Sequence, residues 1–113
     1  MKTIHSTLLI AALALAAGPA AATSVTGGKI SRIRFESGGL VAVTSTIVPP
    51  AGCRTASQEH YVFDGRTDLG RARFTAALVA YATQSRVDIS GAGTCTTIST
   101  GLLSENLTSI TIY

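Results

Sequence analysis

One stretch of this chain changes its hydrophobic period, and that change limits the folds open to it. Across residues 68–84, Phe74, Ala77, Leu78 and Tyr81 fall at i, i+3, i+4 and i+7, which lines one face of a helix of about four turns. Asp68 is placed to cap it, its carboxylate accepting from the first free amides. Alanines at 72, 76, 77, 80 and 82 favour helix by propensity and let it lie close against a sheet, with Tyr81 read as a core residue on the inward stripe.

On both sides of that helix the alternation has period two, the mark of half-buried strands. Ile33 and Phe35 oppose Arg32 and Arg34, while Ile30 falls on the arginine side, so a bulge or bend is expected near Ser31. Gly38-Gly39 makes a turn into a second strand, Leu40 to Ile47, with Val41, Val43 and Ile47 on one face. Pro49-Pro50-Ala51-Gly52 stops pairing, because two prolines remove donors and fix φ. A third strand follows at His60 to Asp64, with Tyr61 and Phe63 inward. Beyond the helix, Val87 and Ile89 carry a fourth strand that Gly91-Ala92-Gly93 loosens, and Leu107 to Tyr113 a fifth. The order is strand, strand, strand, helix, strand, strand. It predicts a mainly β fold with one helix, either a five-stranded OB-fold-like Greek-key barrel or an α+β open antiparallel sheet with one covering helix.

Ahead of the pattern stands a secretory signal. Met1 and Lys2 begin it, Leu8 to Ala17 is an apolar run of ten, and Gly18-Pro19 leads into Ala20-Ala21-Ala22. Ten apolar residues fall short of the roughly 20 that cross a bilayer, so residues 1–22 read as a cleaved signal, not an anchor, with cleavage after Ala22. Residues 23–28 then form a flexible lead-in, and 29–113 a single domain destined for the periplasm or the exterior. The alanine-rich brevity of the signal looks bacterial.

A domain of this size gains only marginal stability from its core. Cys53 and Cys95 are its two cysteines, and an oxidising compartment favours their pairing, the alternative being two free thiols. Paired, they would tie the loop before the third strand to the connection after the fourth.

The chemistry-bearing residues point away from catalysis. After the signal leaves, His60 is the lone histidine, and one histidine with two oxidised cysteines cannot assemble a zinc site; no metal or cofactor is expected. No Gly-x-Ser-x-Gly elbow selects a serine, and a disulfide removes the thiolate a cysteine nucleophile needs. The six acids are scattered and read as exposed. Eight cations against those six acids leave a net charge of about +2 beyond the signal, with no run of like charge, so nucleic acid is not the expected partner.

The stretches Lys29-Ile-Ser-Arg-Ile33, Gly39-Leu-Val-Ala-Val43, Pro50-Ala-Gly-Cys53, Phe74-Thr-Ala-Ala-Leu-Val-Ala-Tyr81, Val87-Asp-Ile89 and Gly93-Thr-Cys95 together span most of the domain. In combination they resemble small exported bacterial proteins that look like the B subunits of A-B-type toxins such as the subtilase cytotoxin. The resemblance implies an OB-fold, a bridge between Cys53 and Cys95, and glycan recognition by a ring of five subunits; it carries no site residue across. The expected function is an exported, non-catalytic binding module for a glycan or an envelope protein, with Arg32, Arg34, Arg54, His60 and Tyr113 as candidate exposed contacts. The alternative is a structural or assembly protein of the envelope that acts as a homo-oligomer.

Overall fold

The computed structural model describes residues 21–113, so the expected signal lies outside the described residues except for Ala21 and Ala22. Six strands, one α-helix and a 3-10 turn at Ser37–Gly39 follow: β1 (Ser24–Gly28), β2 (Ile30–Phe35), β3 (Leu40–Ser45), β4 (Tyr61–Asp64), α1 (Asp68–Thr83), β5 (Val87–Thr97) and β6 (Leu103–Ile112). The strands form one mixed sheet in the order β1-β5-β6-β4-β3-β2, antiparallel except where β4 runs parallel to β6. The fold is mainly β with a single helix, as the periodicity requires.

Two features depart from the expected five-stranded barrel. Residues 24–28 are not a loose lead-in but strand β1, paired with β5 through Ser24↔Ser90 and Val25↔Ile89. Their small residues hid the strand, because only Val25 supplies an apolar side chain to mark the alternation. The sheet is also not closed: β1 and β2 are its two edges, joined end to end through Lys29 with no ladder between them. The bulge expected near Ser31 is present, since the β2–β3 register shifts between Ile30 and Arg32. It returns Ile30, fully buried, to the core side.

Both edges feed one core. Val25 of β1 and Ile30 of β2 share a cluster with Val41, Val43, Tyr61, Phe63, Val87, Ile89 and Leu107, so the sheet curls round a common interior. Helix α1 supplies Ala77 and Ala80 to that cluster and lies against β2 and β6. Its buried line runs Gly70, Ala77, Ala80, with Phe74 partly covered, while Leu78 and Tyr81 are exposed. The inward face is thus turned from the expected stripe, because close approach to the sheet selects the smallest side chains. Gly70 shows how close: a Cβ there would lie 1.7 Å from the carbonyl oxygen of Asp64. The cap is Thr67 instead of Asp68, its hydroxyl accepting from Gly70 N at 2.9 Å, and Gln84 ends the helix in the left-handed region at φ 52°.

The strands after the helix are longer than their apolar alternation suggested. Strand β5 continues through Gly91 and Gly93 to Thr97, with register shifts against β6 on either side of Gly91. Cys53 and Cys95 are bonded, Cα atoms 6.0 Å apart, so the bridge ties the β3–β4 connection to β5 itself and not to a loop beyond it. Thr55 N and Ala56 N both donate to Leu103 O, pinning the same connection to β6. No helix among the described residues is long and apolar enough to cross a membrane.

Candidate functional site

The three glutamates are buried, contrary to the expectation of exposed acids, and each fixes a different part of the molecule. Glu36 and Glu59 organise the outer side of the β2–β3–β4 ladder, where β2 directs Arg32 and Arg34 away from the core. Arg34 Nη1 donates to Glu59 Oε1 at 3.2 Å, and its Nε stands 3.3 Å from Glu36 Oε1. Arg32 Nη2 lies 3.5 Å from the same Glu59 oxygen, and its Nη1 donates to Gln58 Oε1. The two arginine side chains remain 40% and 39% exposed, whereas those of Glu59 and Glu36 are 7% and 0% exposed. Two guanidinium groups therefore face solvent on a base of two buried carboxylates, with no net charge in the cluster.

The remainder of the base joins the β3–β4 connection and the β5–β6 turn to the strands beside them. Ser99 Oγ donates to Glu36 Oε2, Thr44 Oγ1 donates to Gln58 O, and Ser104 Oγ donates to Glu59 O at 2.7 Å. Beneath these lies a second small apolar cluster of Ala56, Val62 and Ile98, with Leu40 against it. Glu36 Oε1 is the one buried side-chain polar atom without a hydrogen bond among the described residues: the Arg34 Nε–H stands at ion-pair distance but is not aimed at it. Such a carboxylate is held by charge more than by directed bonds.

The structure does not gather all five candidate contacts. Arg32 and Arg34 meet on one face, as their alternation requires. Arg54 donates to Ala56 O at 2.7 Å and Pro49 O at 3.1 Å, which makes it a brace for the loop that carries Cys53. His60 is buried, contrary to expectation; its Nδ1 accepts from Ser45 N at 3.1 Å. Burial, and then the Arg54 charge, push its pKa below the usual histidine value, so it is held neutral. Tyr113 is exposed at the end of the chain, its hydroxyl donating to Asp88 and Arg86 standing 5.4 Å over its ring.

No family model, curated protein or solved structure matches this chain.

Function has to be read from the arrangement itself. No three His, Cys, Asp or Glu side chains stand together in a metal-holding group among the described residues. The aspartates pair elsewhere: Asp64 with Arg66, which holds its carboxyl at about 2, and Asp68 with Arg71. The Arg32–Arg34 face can offer N–H donors to hydroxyl or carbonyl oxygens, with Arg34 bonded to Glu59 and Arg32 held by Gln58 and by the Glu59 charge. Sequence reasoning found the arginines and missed Glu36 and Glu59. The signal for Glu59 was its place beside His60 at the start of a strand; for Glu36 there was none, because its burial depends on Ser99 far along the chain.

Proposed function

We propose that the protein is an exported, non-catalytic binding module that takes a glycan through the Arg32–Arg34 face. The observation that carries this reading is the neutral cluster in which two buried carboxylates restrain two half-exposed guanidinium groups. A cluster of balanced charge suits neutral, hydroxyl-rich ligands better than polyanions, and restrained donors lose little entropy on binding. The strand order supports the toxin-subunit-like likeness: with β1 and β2 taken as halves of one strand bent at Lys29, the order becomes the circuit of a five-stranded, partly open Greek-key barrel. The disulfide supports an oxidising compartment.

The test is a glycan array probed with the exported chain and with Arg32→Ala and Arg34→Lys variants, both of which keep the core. Binding that Arg32→Ala weakens by about tenfold, the loss of one charge-assisted hydrogen bond, supports the reading. An array silent to the folded chain overturns the glycan; capture of an envelope protein that both variants weaken would then place a protein on the same face. A second reading, assembly as a homo-oligomer, is favoured by Phe35, 69% exposed at the end of edge strand β2 and packed edge-to-face on Phe74 at 5.3 Å. Light scattering decides it, and a monomer at micromolar concentration removes it.

A further inference from the structure

The third buried glutamate has no cation beside it. Glu105 is 1% exposed on β6, and none of the ion pairs among the described residues includes it. Its partners are two backbone amides and a hydroxyl: Thr23 N donates to Oε2 at 3.1 Å, Thr23 Oγ1 donates to Oε1 at 2.5 Å, and Gly93 N donates to Oε2 at 3.1 Å. The fully buried Tyr61 shares a 2.9 Å hydrogen bond with Thr23 Oγ1, and Gly91 N donates to Thr23 O at 2.9 Å. The cavity for this carboxylate is built into the backbone, since a Cβ on Gly91 would stand 1.9 Å from Glu105 Oε2. A buried carboxylate fed only by neutral donors is a costly arrangement.

Thr23 is also the residue that follows Ala20-Ala21-Ala22, the small-residue end of the signal. We propose that the Ala22–Thr23 bond is the signal-peptidase cleavage site and that Glu105 is the receptor for the new α-ammonium group of Thr23. Hydrolysis breaks the Ala22 C–Thr23 N bond with one water; the hydroxyl goes to the Ala22 carboxyl, and the freed amine takes the remaining hydrogen and one proton from solvent. The nitrogen that donates to Glu105 as a neutral amide then faces it as a cation, and the missing counter-charge is supplied. Export thereby completes the core of the domain. This inference rests on the export reading and is independent of the ligand.

The test starts from the full chain, exported by a bacterial host on its own signal and weighed intact. A mature chain that begins at Thr23 is expected; one that begins at any other residue overturns the inference while leaving export intact, whereas an unprocessed chain kept in the cytoplasm overturns export as well. In a Lys29→Arg background the amine of Thr23 is the one remaining amine of the mature chain. N-hydroxysuccinimidyl acetate should label it about tenfold more slowly in the folded than in the urea-unfolded chain, because the pair must open before reaction. Adding Glu105→Gln should bring the rate within about twofold of the unfolded one. Equal labelling rates in the folded and the unfolded Lys29→Arg chain, with Glu105 in place, would refute the pairing. Should Glu105→Gln fail to fold, the Lys29→Arg chain acetylated in urea and refolded should melt about 5 °C or more below its free-amine form, and an unchanged Tm overturns the proposal.

Discussion

Arg34→Ala should expose the energetics of the outer face, because it strips the cation from a glutamate that has little else. Glu36 has a fully buried side chain, a bond from Ser99, and one oxygen that receives no directed hydrogen bond. Removing one partner of a fully buried pair costs about 3–5 kcal/mol, most of it the stranded charge. Arg34 is 39% exposed, so water reaching the vacated site recovers part of this, and about 2 kcal/mol is the expected loss. Glu36→Gln keeps the shape and a partner for Ser99, and should cost about 1 kcal/mol. In the double variant no charge is stranded, so its loss should fall below the sum of the singles by about 1–2 kcal/mol. Glu59 does not confuse the cycle, since its 3.2 Å bond from Arg34 is lost equally in both chains that lack Arg34 and cancels from the coupling. Urea unfolding of the four chains at neutral pH gives the coupling directly. Losses that add to within about 0.5 kcal/mol would show that Arg34 and Glu36 are neighbours without being partners, and the cluster would lose its rigid base.

Replacing Cys53 and Cys95 with serine should cost about 4 kcal/mol, from the entropy of a loop closed across a separation of 42 residues, and urea melts of the mature chain under oxidising conditions check it; a loss below about 1 kcal/mol would mean that the Thr55 and Ala56 bonds to Leu103 already fix the loop. Gly91→Ala should cost about 3 kcal/mol by driving a methyl into Glu105 and Tyr61, and Gly38→Ala, which meets nothing within 4 Å but keeps φ 77°, about 1 kcal/mol; thermal melts rank the two, and the reverse order would refute the packing described. His60 has a folded pKa below its ordinary 6.5, so the unfolded chain takes up the proton first: stability is full above 6.5 and declines as pH falls from there toward the folded value. His60→Gln should flatten that decline in Tm measured between pH ~7.5 and ~5, and an unchanged slope would assign it to other groups.

The parts of this fold that were legible in the sequence are those that large side chains announce. Ile33, Val41, Val43, Tyr61, Phe63, Val87 and Ile89 alternate in their strands and meet in one core, and the misplaced Ile30 marked a real register shift. Strand β1 was illegible because Val25 is the one apolar side chain that a segment of Ser, Val, Thr and Gly sends into the core, and a single residue makes no alternation. The face of α1 was misjudged for a related reason. Where a helix lies so close that a Cβ at Gly70 would strike the Asp64 carbonyl, contact is decided by smallness, and Leu78 and Tyr81 are turned outward although they are the larger residues.

The candidate site was half legible, and the missing half has one physical cause. An arginine that alternates with core residues is seen from its own strand, but the burial of an acid is a property of whatever covers it. Glu36 is covered by the segment that carries Ser99, Glu59 takes its place through the bond from Ser104, and Glu105 is enclosed by Gly93 of β5 and by Thr23 just ahead of β1. In each case the cover lies tens of residues away or across a hairpin, where no local period can register it. All three glutamates belong to residues that a composition-based reading assigns to the surface, and all three are where this small domain concentrates its polar specificity. The two with arginine partners lie beneath half-exposed guanidinium groups on the outer side of the sheet. The third has neutral donors alone, and the charge it lacks is the one that cutting the chain before Thr23 would create.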